Sequence, residues 1–313
     1  MSRSGAAVGA RYAAIDIGSN TVKLAIAEVQ PDGNLISLFD GGVTTRIGEG
    51  MQSRRLGERP MQRTLDALTQ CLGVCVQHGC ARVFAVGTSA LRDADNRDDF
   101  LQRARTAGLD VTVLSGEEEA RLSGLAVRRD PLWRDAERLV VLDIGGGSTE
   151  LTFLGKDDLS RSVSLQLGAV RLTERYLHGD PPLPAERRLA ARAASRALTR
   201  ARLSSEDGCV NVVGVGGTVI NMGSVAAASE AGGRAHVHGM KLTGKEVRRQ
   251  IRLYAGLTTA QRKGLQGLDP SRADVILGGA IVLLSAIRAL RVEHVSVSCR
   301  GLRWGVLYDR LAT

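Results

Sequence analysis

A stretch near the N-terminus, Ile15-Asp16-Ile17-Gly18-Ser19-Asn20-Thr21-Val22-Lys23-Leu24, returns 127 residues later as Leu142-Asp143-Ile144-Gly145-Gly146-Gly147-Ser148-Thr149-Glu150-Leu151. The Asp-Ile-Gly core, a hydroxyl residue (Thr21, Ser148) and a Leu stay in register without a gap. Val83 to Ser89 resembles Val210 to Gly216 at the same spacing, with Gly87 set against Gly214. Two matches at one spacing point to a duplicated half, and the period is far too long for a solenoid. The 313 residues suffice for two domains, each with its own core. The expectation is two similar α/β domains, each lending a hairpin loop to a shared cleft, where small-molecule sites commonly lie.

The second copy carries the chemistry. Apolar runs, Leu139 to Leu142 and Leu151 to Leu154, flank it, so it reads as strand, Gly-rich turn, strand. Glycines let backbone N–H groups approach a ligand, and a nest of such groups suits an anion. Asp143 and Glu150 at the ends of the turn would repel a bare phosphate. They make sense with a cation such as Mg²⁺ between carboxylate and phosphate.

Composition narrows the function classes. Aromatic residues are 3% of the chain, which argues against base-stacking platforms and so against a binder of single-stranded nucleic acid. The net charge of +9 favours phosphate-rich ligands. The five cysteines (Cys71, Cys75, Cys80, Cys209, Cys299) form no regular framework and read as reduced thiols of a cytosolic protein. Cys71, Cys75, His78 and Cys80 raise a metal site, but Met61, Leu65, Leu68, Leu72 and Val76 mark a helix face beside the first two, so buried helix cysteines are the better reading. No apolar run reaches the roughly 20 residues of a membrane span, and residues 1–11 lack a signal core and read as a loose tail.

Along the chain, strands are expected at Tyr12 to Ile17, Val22 to Val29 and Leu35 to Asp40. In the second of these, Val22, Leu24 and Ile26 alternate with Lys23, Ala25 and Ala27 as in a half-buried strand. After strand Arg82 to Val86, the run Gly87-Thr88-Ser89-Ala90-Leu91-Arg92 has anion-binding residue types, although Ser89 equally suits a helix cap. Ser115 and Glu118 have capping-box spacing at the head of a helix. Glu118 and Glu119 fall on or beside its buried face, and spacing does not choose between them. Gly216-Gly217-Thr218 opens another helix, either for a phosphate or for close helix–strand packing. Gly239 to Glu246 approximates a P-loop but has Glu246 at the Ser/Thr position, and is discounted. His236 and His238 read as surface or hydrogen-bonding residues.

Taken together, Asp16 to Asn20, Gly87 to Arg92, Gly116 to Arg121, Asp143 to Glu150, Leu167 to Glu174, Gly214 to Thr218, Arg272 to Asp274 and Ser298 to Arg303 resemble the exopolyphosphatase/guanosine pentaphosphate phosphatase family. The likeness runs in order from about Tyr12 to Leu307. It implies two actin-like, ribonuclease H-like domains with mixed sheets around a central cleft, in the short form without an added helical domain. The expected division is 1–128 with 298–313, and 129–297.

The resemblance also implies roles. Glu119, the Glu before Ala-Arg, matches the family's proposed catalytic base, and Asp143 and Glu150 match its divalent-ion positions. Phosphates would be held by Gly18, Ser19, Asn20, Arg92, Gly145, Gly146, Gly147, Ser148, Gly216, Gly217 and Thr218, with Arg46, Arg300 and Arg303 as polyanion contacts. Mg²⁺ or another divalent cation is the implied cofactor. Inorganic polyphosphate or guanosine pentaphosphate is the implied partner, with no membrane and no specific nucleic acid. A bacterial, cytoplasmic protein is expected, and a homodimer follows only by analogy. Thr21 replaces a commoner Ser, and Trp304 stands where Glu is more frequent, a departure that bears on substrate preference. A kinase of the same fold and a non-catalytic polyphosphate or nucleotide sensor are the rival readings. A kinase needs an acceptor-site acid and an adenosine pocket, and Glu before Ala-Arg is not its pattern.

Overall fold

The computed structural model describes residues 7–156, 159–201, 211–231 and 237–311. Residues 1–6 of the expected tail, Cys209 and His236 lie outside the described residues. The chain divides into two compact units, Met1–Ala126 with Leu302–Thr313, and Val127–Gly301. Among the described residues no helix is long and apolar enough to cross a membrane.

Unit 1 is built on β1 (Arg11–Ile17), β2 (Thr21–Val29), β3 (Leu35–Thr44), β4 (Cys80–Gly87) and β5 (Val111–Val113), in the order β3-β2-β1-β4-β5. The first three strands run antiparallel, and β4 and β5 join parallel. Its helices are α1 (Glu58–Gln77), α2 (Ser89–Asp93), α3 (Arg97–Thr106), α4 (Gly116–Arg128) and, from the far end of the chain, α11 (Leu302–Leu311).

Side-chain alternation decides which helix covers which face. Ile15, Ile17, Leu24 and Ile26 pack with Leu65 and Leu68 of α1 and Phe100 of α3. Ala14, Ala25 and Ala27 point the other way and meet Leu122 of α4 and Val306 and Leu307 of α11. So β2 is not half-buried as its pattern suggests: Ala25 and Ala27 are fully buried. Alanine is silent in an amphipathic pattern, yet its small side chain is what lets two helices sit close on the sheet. Cys71 and Cys75 lie in α1 against the first face, and burial pushes the Cys75 thiol up to about 12.

Unit 2 repeats the plan. Its strands are β6 (Leu139–Ile144), β7 (Thr149–Leu154), β8 (Leu159–Leu165), β9 (Asn211–Val215), β10 (Lys241–Thr243) and β11 (His294–Val297). Read from β8, the order is β8-β7-β6-β9-β11-β10, which is the unit 1 order with one antiparallel edge strand added. The added strand β10 occupies the middle of the Gly239 to Glu246 run, and extended strand backbone cannot curl into a phosphate cradle.

The ladder refines the repeat. In unit 1 Ile17 pairs with Gly87. In unit 2 Asp143 pairs with Val215, so one further step sets Gly216 opposite Ile144, the counterpart of Ile17. The structural partner of Gly87 is therefore Gly216, two residues beyond the Gly214 that sequence spacing selects. A two-residue slip keeps every side chain on its own face, so the apolar pattern does not register it.

The helices of unit 2 are α5 (Ala169–Tyr176), α6 (Pro184–Arg200), α7 (Gly216–Ala231), α8 (Gly244–Ala255), α9 (Thr259–Arg262) and α10 (Ile276–Ala289). Every residue from Ile276 to Leu283 is buried, as suits a central helix that is apolar all round. Two glycines on it admit its neighbours. A Cβ at Gly278 would lie 2.7 Å from Ala169 O at the head of α5, and one at Gly279 3.1 Å from Thr218 Cβ at the head of α7.

A similar contact supports α4. A Cβ at Gly305 on α11 would overlap the Leu122 carbonyl, which is backbone and cannot rotate aside. Gly305→Ala is therefore expected to destabilise the protein by about 1–3 kcal/mol, read as a lower urea midpoint. An unchanged midpoint would show that the two helices separate freely.

Candidate active site

The turn between β6 and β7 closes with the Gly145 N–H donating to Ser148 O at 3.0 Å. Its carbonyls are all occupied from one side. Gly145 O accepts from the Ala169 N–H at 2.9 Å, and Gly146 O accepts from the Val170 and Arg171 N–H groups at 2.9 and 3.1 Å. Gly147 O accepts from Arg171 Nε at 2.8 Å. In a trans peptide the C=O and the next N–H point in opposite directions. The N–H groups of Gly146, Gly147 and Ser148 therefore face away from α5 as three successive donors, the arrangement that binds an anion. Gly168 makes this possible, because a side chain there would overlap Gly146 O.

The acids stand beside these donors. Asp143 and Glu150 are direct cross-strand partners. Glu150 is buried and accepts from Ser164 Oγ at 2.9 Å, while Asp143 is half-buried. Two facing carboxylates repel unless a proton or a cation joins them. Among the described residues no group of three or more His, Cys, Asp and Glu could hold a metal. A two-carboxylate donor set with phosphate and water completing the shell fits Mg²⁺, which demands no all-protein cage.

The head of α7 lies next to the same carboxylate. Gly216 has φ +87°, and a Cβ there would lie 2.7 Å from Asp143 Oδ1. A Cβ on Gly217 would overlap the Arg272 guanidinium, so Arg272 belongs to this site although its role was not read from its motif. The signal was the pairing of a bare Gly-Gly turn with a distant Arg, which only folding brings together. Thr218 is buried with its side chain toward Gly279.

In unit 1 the β1–β2 turn is built alike. The Gly18 N–H donates to Thr21 O at 3.1 Å. Ser19 O accepts from the Gly48 N–H at 2.9 Å, and Asn20 O accepts from the Thr45 and Arg46 N–H groups at 3.1 and 3.0 Å. The Asn20 N–H consequently points away from that loop. Arg46, at φ 55°, shapes the loop with its backbone, and its side chain is half-buried. Ser89 is not the α2 cap, a position Thr88 holds; its hydroxyl lies 2.9 Å from Ser19 Oγ. Here Lys23 faces Asp16 where Glu150 faces Asp143, with Nζ 3.8 Å from the Asp16 carboxylate. The duplicated hairpin thus keeps one acid and replaces the other with an ammonium.

Side-chain geometry separates the two glutamates of α4. Glu118 closes the capping box: Ser115 N–H donates to its Oε2 at 2.9 Å, and Glu118 N–H donates to Ser115 Oγ at 3.1 Å. It is exposed, contrary to its expected place near the buried face. Glu119 is buried and accepts from Arg92 Nη1 at 3.0 Å. The same Nη1 donates to Leu114 O at 3.0 Å, fixing the guanidinium against the strand end, and Arg92 Nη2 is buried without a hydrogen-bond partner.

Two expected polyanion contacts are employed elsewhere. Arg303 is buried, and its Nη1 donates to Leu24 O and Asp40 Oδ1, both at 2.9 Å. It ties α11 to β2 and β3. Trp304 is likewise buried in the unit 1 core, so its departure from the family pattern concerns packing. Arg300 is half-buried, with Nη1 3.7 Å from buried Asp130, whose carboxylate also receives His238 Nε2 at 3.3 Å. Burial raises the Asp130 carboxyl, but the His238 and Leu132 N–H hydrogen bonds outweigh it and hold it below the usual range. Asp130 pushes His238 up to about 9.

Comparison with known proteins accords with this geometry. The sequence model of the Ppx/GppA phosphatase family matches residues 25–313. Exopolyphosphatase 2 of Mycobacterium tuberculosis is 36% identical over 95% of this chain and 97% of its own length. A guanosine-5'-triphosphate,3'-diphosphate pyrophosphatase of Photobacterium profundum is 33% identical over 96% of this chain and 59% of its own length. The crystal structure of the Aquifex aeolicus member of the Ppx/GppA family superposes with a TM-score of 0.79 at 30% identity, covering 97% of this chain and 98% of that one. Fold and likeness together define a phosphoanhydride hydrolase with two mixed-sheet α/β units. The chain belongs to the Ppx/GppA phosphatase family.

The Asp130–His238 pair carries a pH signature. A histidine whose pKa rises from 6.5 to about 9 on folding contributes stability that is complete below pH 6.5 and lost as pH rises through 9. His238→Gln should flatten the fall in melting temperature over that window relative to the wild type. Parallel pH curves for the two proteins would refute the pairing.

Proposed function

We propose that the chain is an exopolyphosphatase that releases terminal orthophosphate from inorganic polyphosphate. Glu119 deprotonates and orients a water for in-line attack on the terminal phosphorus. The carboxylate carries this role because it is buried and held by Arg92, while Glu118 is consumed by the helix cap. Arg92 positions Glu119 with one nitrogen and keeps a second, buried donor for a phosphate oxygen.

The Gly146, Gly147 and Ser148 amides, with those at the head of α7, receive oxygens of the transferred and neighbouring phosphates, and the Asn20 amide serves the same purpose in unit 1. Arg272 lies against that helix head and supports the charge there. A divalent cation held by Asp143 and Glu150 would neutralise charge developing on the phosphoryl oxygens. Preorganised donors act in the transition state without reorganisation, so their contribution falls mainly on turnover.

The second reading is a guanosine pentaphosphate 5'-phosphohydrolase, favoured by the likeness to the Photobacterium profundum pyrophosphatase. Against it stands the 3% aromatic content, which leaves little to stack on guanine. Phosphate release from polyphosphate, guanosine pentaphosphate and ATP, measured in parallel with Mg²⁺, distinguishes these readings. Release from none would leave a polyphosphate or nucleotide sensor.

Three outcomes are expected. Glu119→Gln lowers kcat by about 10²–10⁴-fold and leaves polyphosphate Kd near the wild-type value. Glu118→Gln leaves kcat intact and costs about 0.5–2 kcal/mol of stability in urea. Chelation with EDTA abolishes phosphate release, Mg²⁺ restores it, and Asp143→Asn raises the Mg²⁺ concentration required. Full turnover in Glu119→Gln would transfer the base to another residue.

A further inference from the structure

In unit 2, α5 and α6 enclose a groove of about 290 Å³. Arg171 and Arg175 line it from α5, and Arg196 and Arg200 from α6. Each pair is four residues apart, so each presents two guanidinium groups on one helix face, about 6 Å apart along the axis. Leu172 and Ala197 give the groove an apolar floor, which receives the arginine stems and leaves the charged heads in water. Among the described residues Arg175, Arg196 and Arg200 form no ion pair with a carboxylate, and Arg175 lies over the Tyr176 ring at 5.5 Å. Four cations converging in one groove repel each other, a cost that a polyanion relieves. Arg171 is shared with the candidate site, since its Nε holds Gly147 O in the phosphate turn.

We propose that this groove is an exosite for inorganic polyphosphate, holding phosphates of a long chain remote from the end being cleaved. The inference rests on the phosphoanhydride hydrolase reading and extends it to substrate length. Two features select the ligand. The only aromatic ring in the lining, Tyr176, is covered by Arg175, so the groove has closely spaced cations and no platform for bases. A guanosine pentaphosphate carries only its 3'-diphosphate away from the cleaved end, whereas a long polyphosphate offers a continuous run of phosphates. Tethering one segment of a chain raises the effective concentration of its end at the turn, which lowers KM for long chains and does nothing for short ones.

The test compares the triple variant R175E/R196E/R200E with a matched triple, K245E/R248E/R288E. The second triple makes the same change in net charge at a different basic pocket of unit 2, between α8 and α10. Binding of polyphosphate of several hundred units is titrated directly, and hydrolysis of that polymer and of tripolyphosphate is assayed alongside. The groove triple should raise Kd and KM for the long polymer by about tenfold or more, flatten the dependence of binding on salt, and leave tripolyphosphate kinetics and long-chain kcat unchanged. The matched triple should do little. Equal weakening by both triples, no change in long-chain Kd, an equal loss with tripolyphosphate, or wild-type preference for single-stranded RNA over polyphosphate would each overturn the exosite. Arg→Gln versions of the groove triple keep the test open if charge reversal prevents folding. Should the wild type bind the long polymer through the groove yet release no phosphate, the exosite stands and the hydrolase reading falls.

Discussion

The candidate site depends on one set of backbone hydrogen bonds, those by which the head of α5 takes the carbonyls of Gly145 and Gly146. The first N–H groups of a helix have no partner within it. Here they are satisfied by the turn, and the turn is oriented in return. Because each peptide is planar and trans, anchoring its carbonyl aims the following amide the opposite way. The Gly146 and Gly147 donors are thereby fixed without a side chain, and the Arg171 guanidinium on Gly147 O fixes the third. The cost is steric: α5 approaches the turn so closely that Gly168 has no room for a Cβ, and a Cβ at Gly278 of α10 would overlap the head of α5. The buried, apolar α10 supplies the surface against which that approach is held.

The two units show how one hairpin serves two electrostatic tasks. Both present an Asp at the end of the first strand and a tight turn after it. The residue opposite differs, Lys23 in one and Glu150 in the other. An Asp–Lys pair is neutral by itself. An Asp–Glu pair carries two like charges. A change at one register position therefore separates a turn of mixed charge from one of like charge. The backing also differs, since the 45–48 loop takes the carbonyls in unit 1 where α5 takes them in unit 2.

Much of this is legible along the chain, for physical reasons. Strand–turn–strand hairpins place their residues by local pairing, so Asp143 opposite Glu150 follows from the turn length. Capping boxes are local too, and Ser115 with Glu118 appears as its spacing predicts. Long-range commitments are not local. Arg303 has the residue type of a polyanion contact, but folding brings Asp40 and the Leu24 carbonyl to it from more than 260 positions away. Arg272 against Gly217 and the convergence of α5 and α6 arginines are juxtapositions of the same kind. Ala25 and Ala27 were invisible as core residues because alanine suits a buried face and an exposed face equally.

The sequence by itself determined the duplication, the α/β class, the two turns and the family, because repeat spacing, apolar periodicity and glycine placement act over a few residues. It narrowed the proposed base to Glu118 or Glu119 without separating them, save by resemblance. Only the tertiary structure gave a physical ground for the choice. Glu118 folds back onto its own helix terminus, while Arg92, held at the end of a neighbouring strand, reaches Glu119 across a buried contact. Two adjacent carboxylates of one helix differ in what the rest of the fold brings to them, and that difference is three-dimensional.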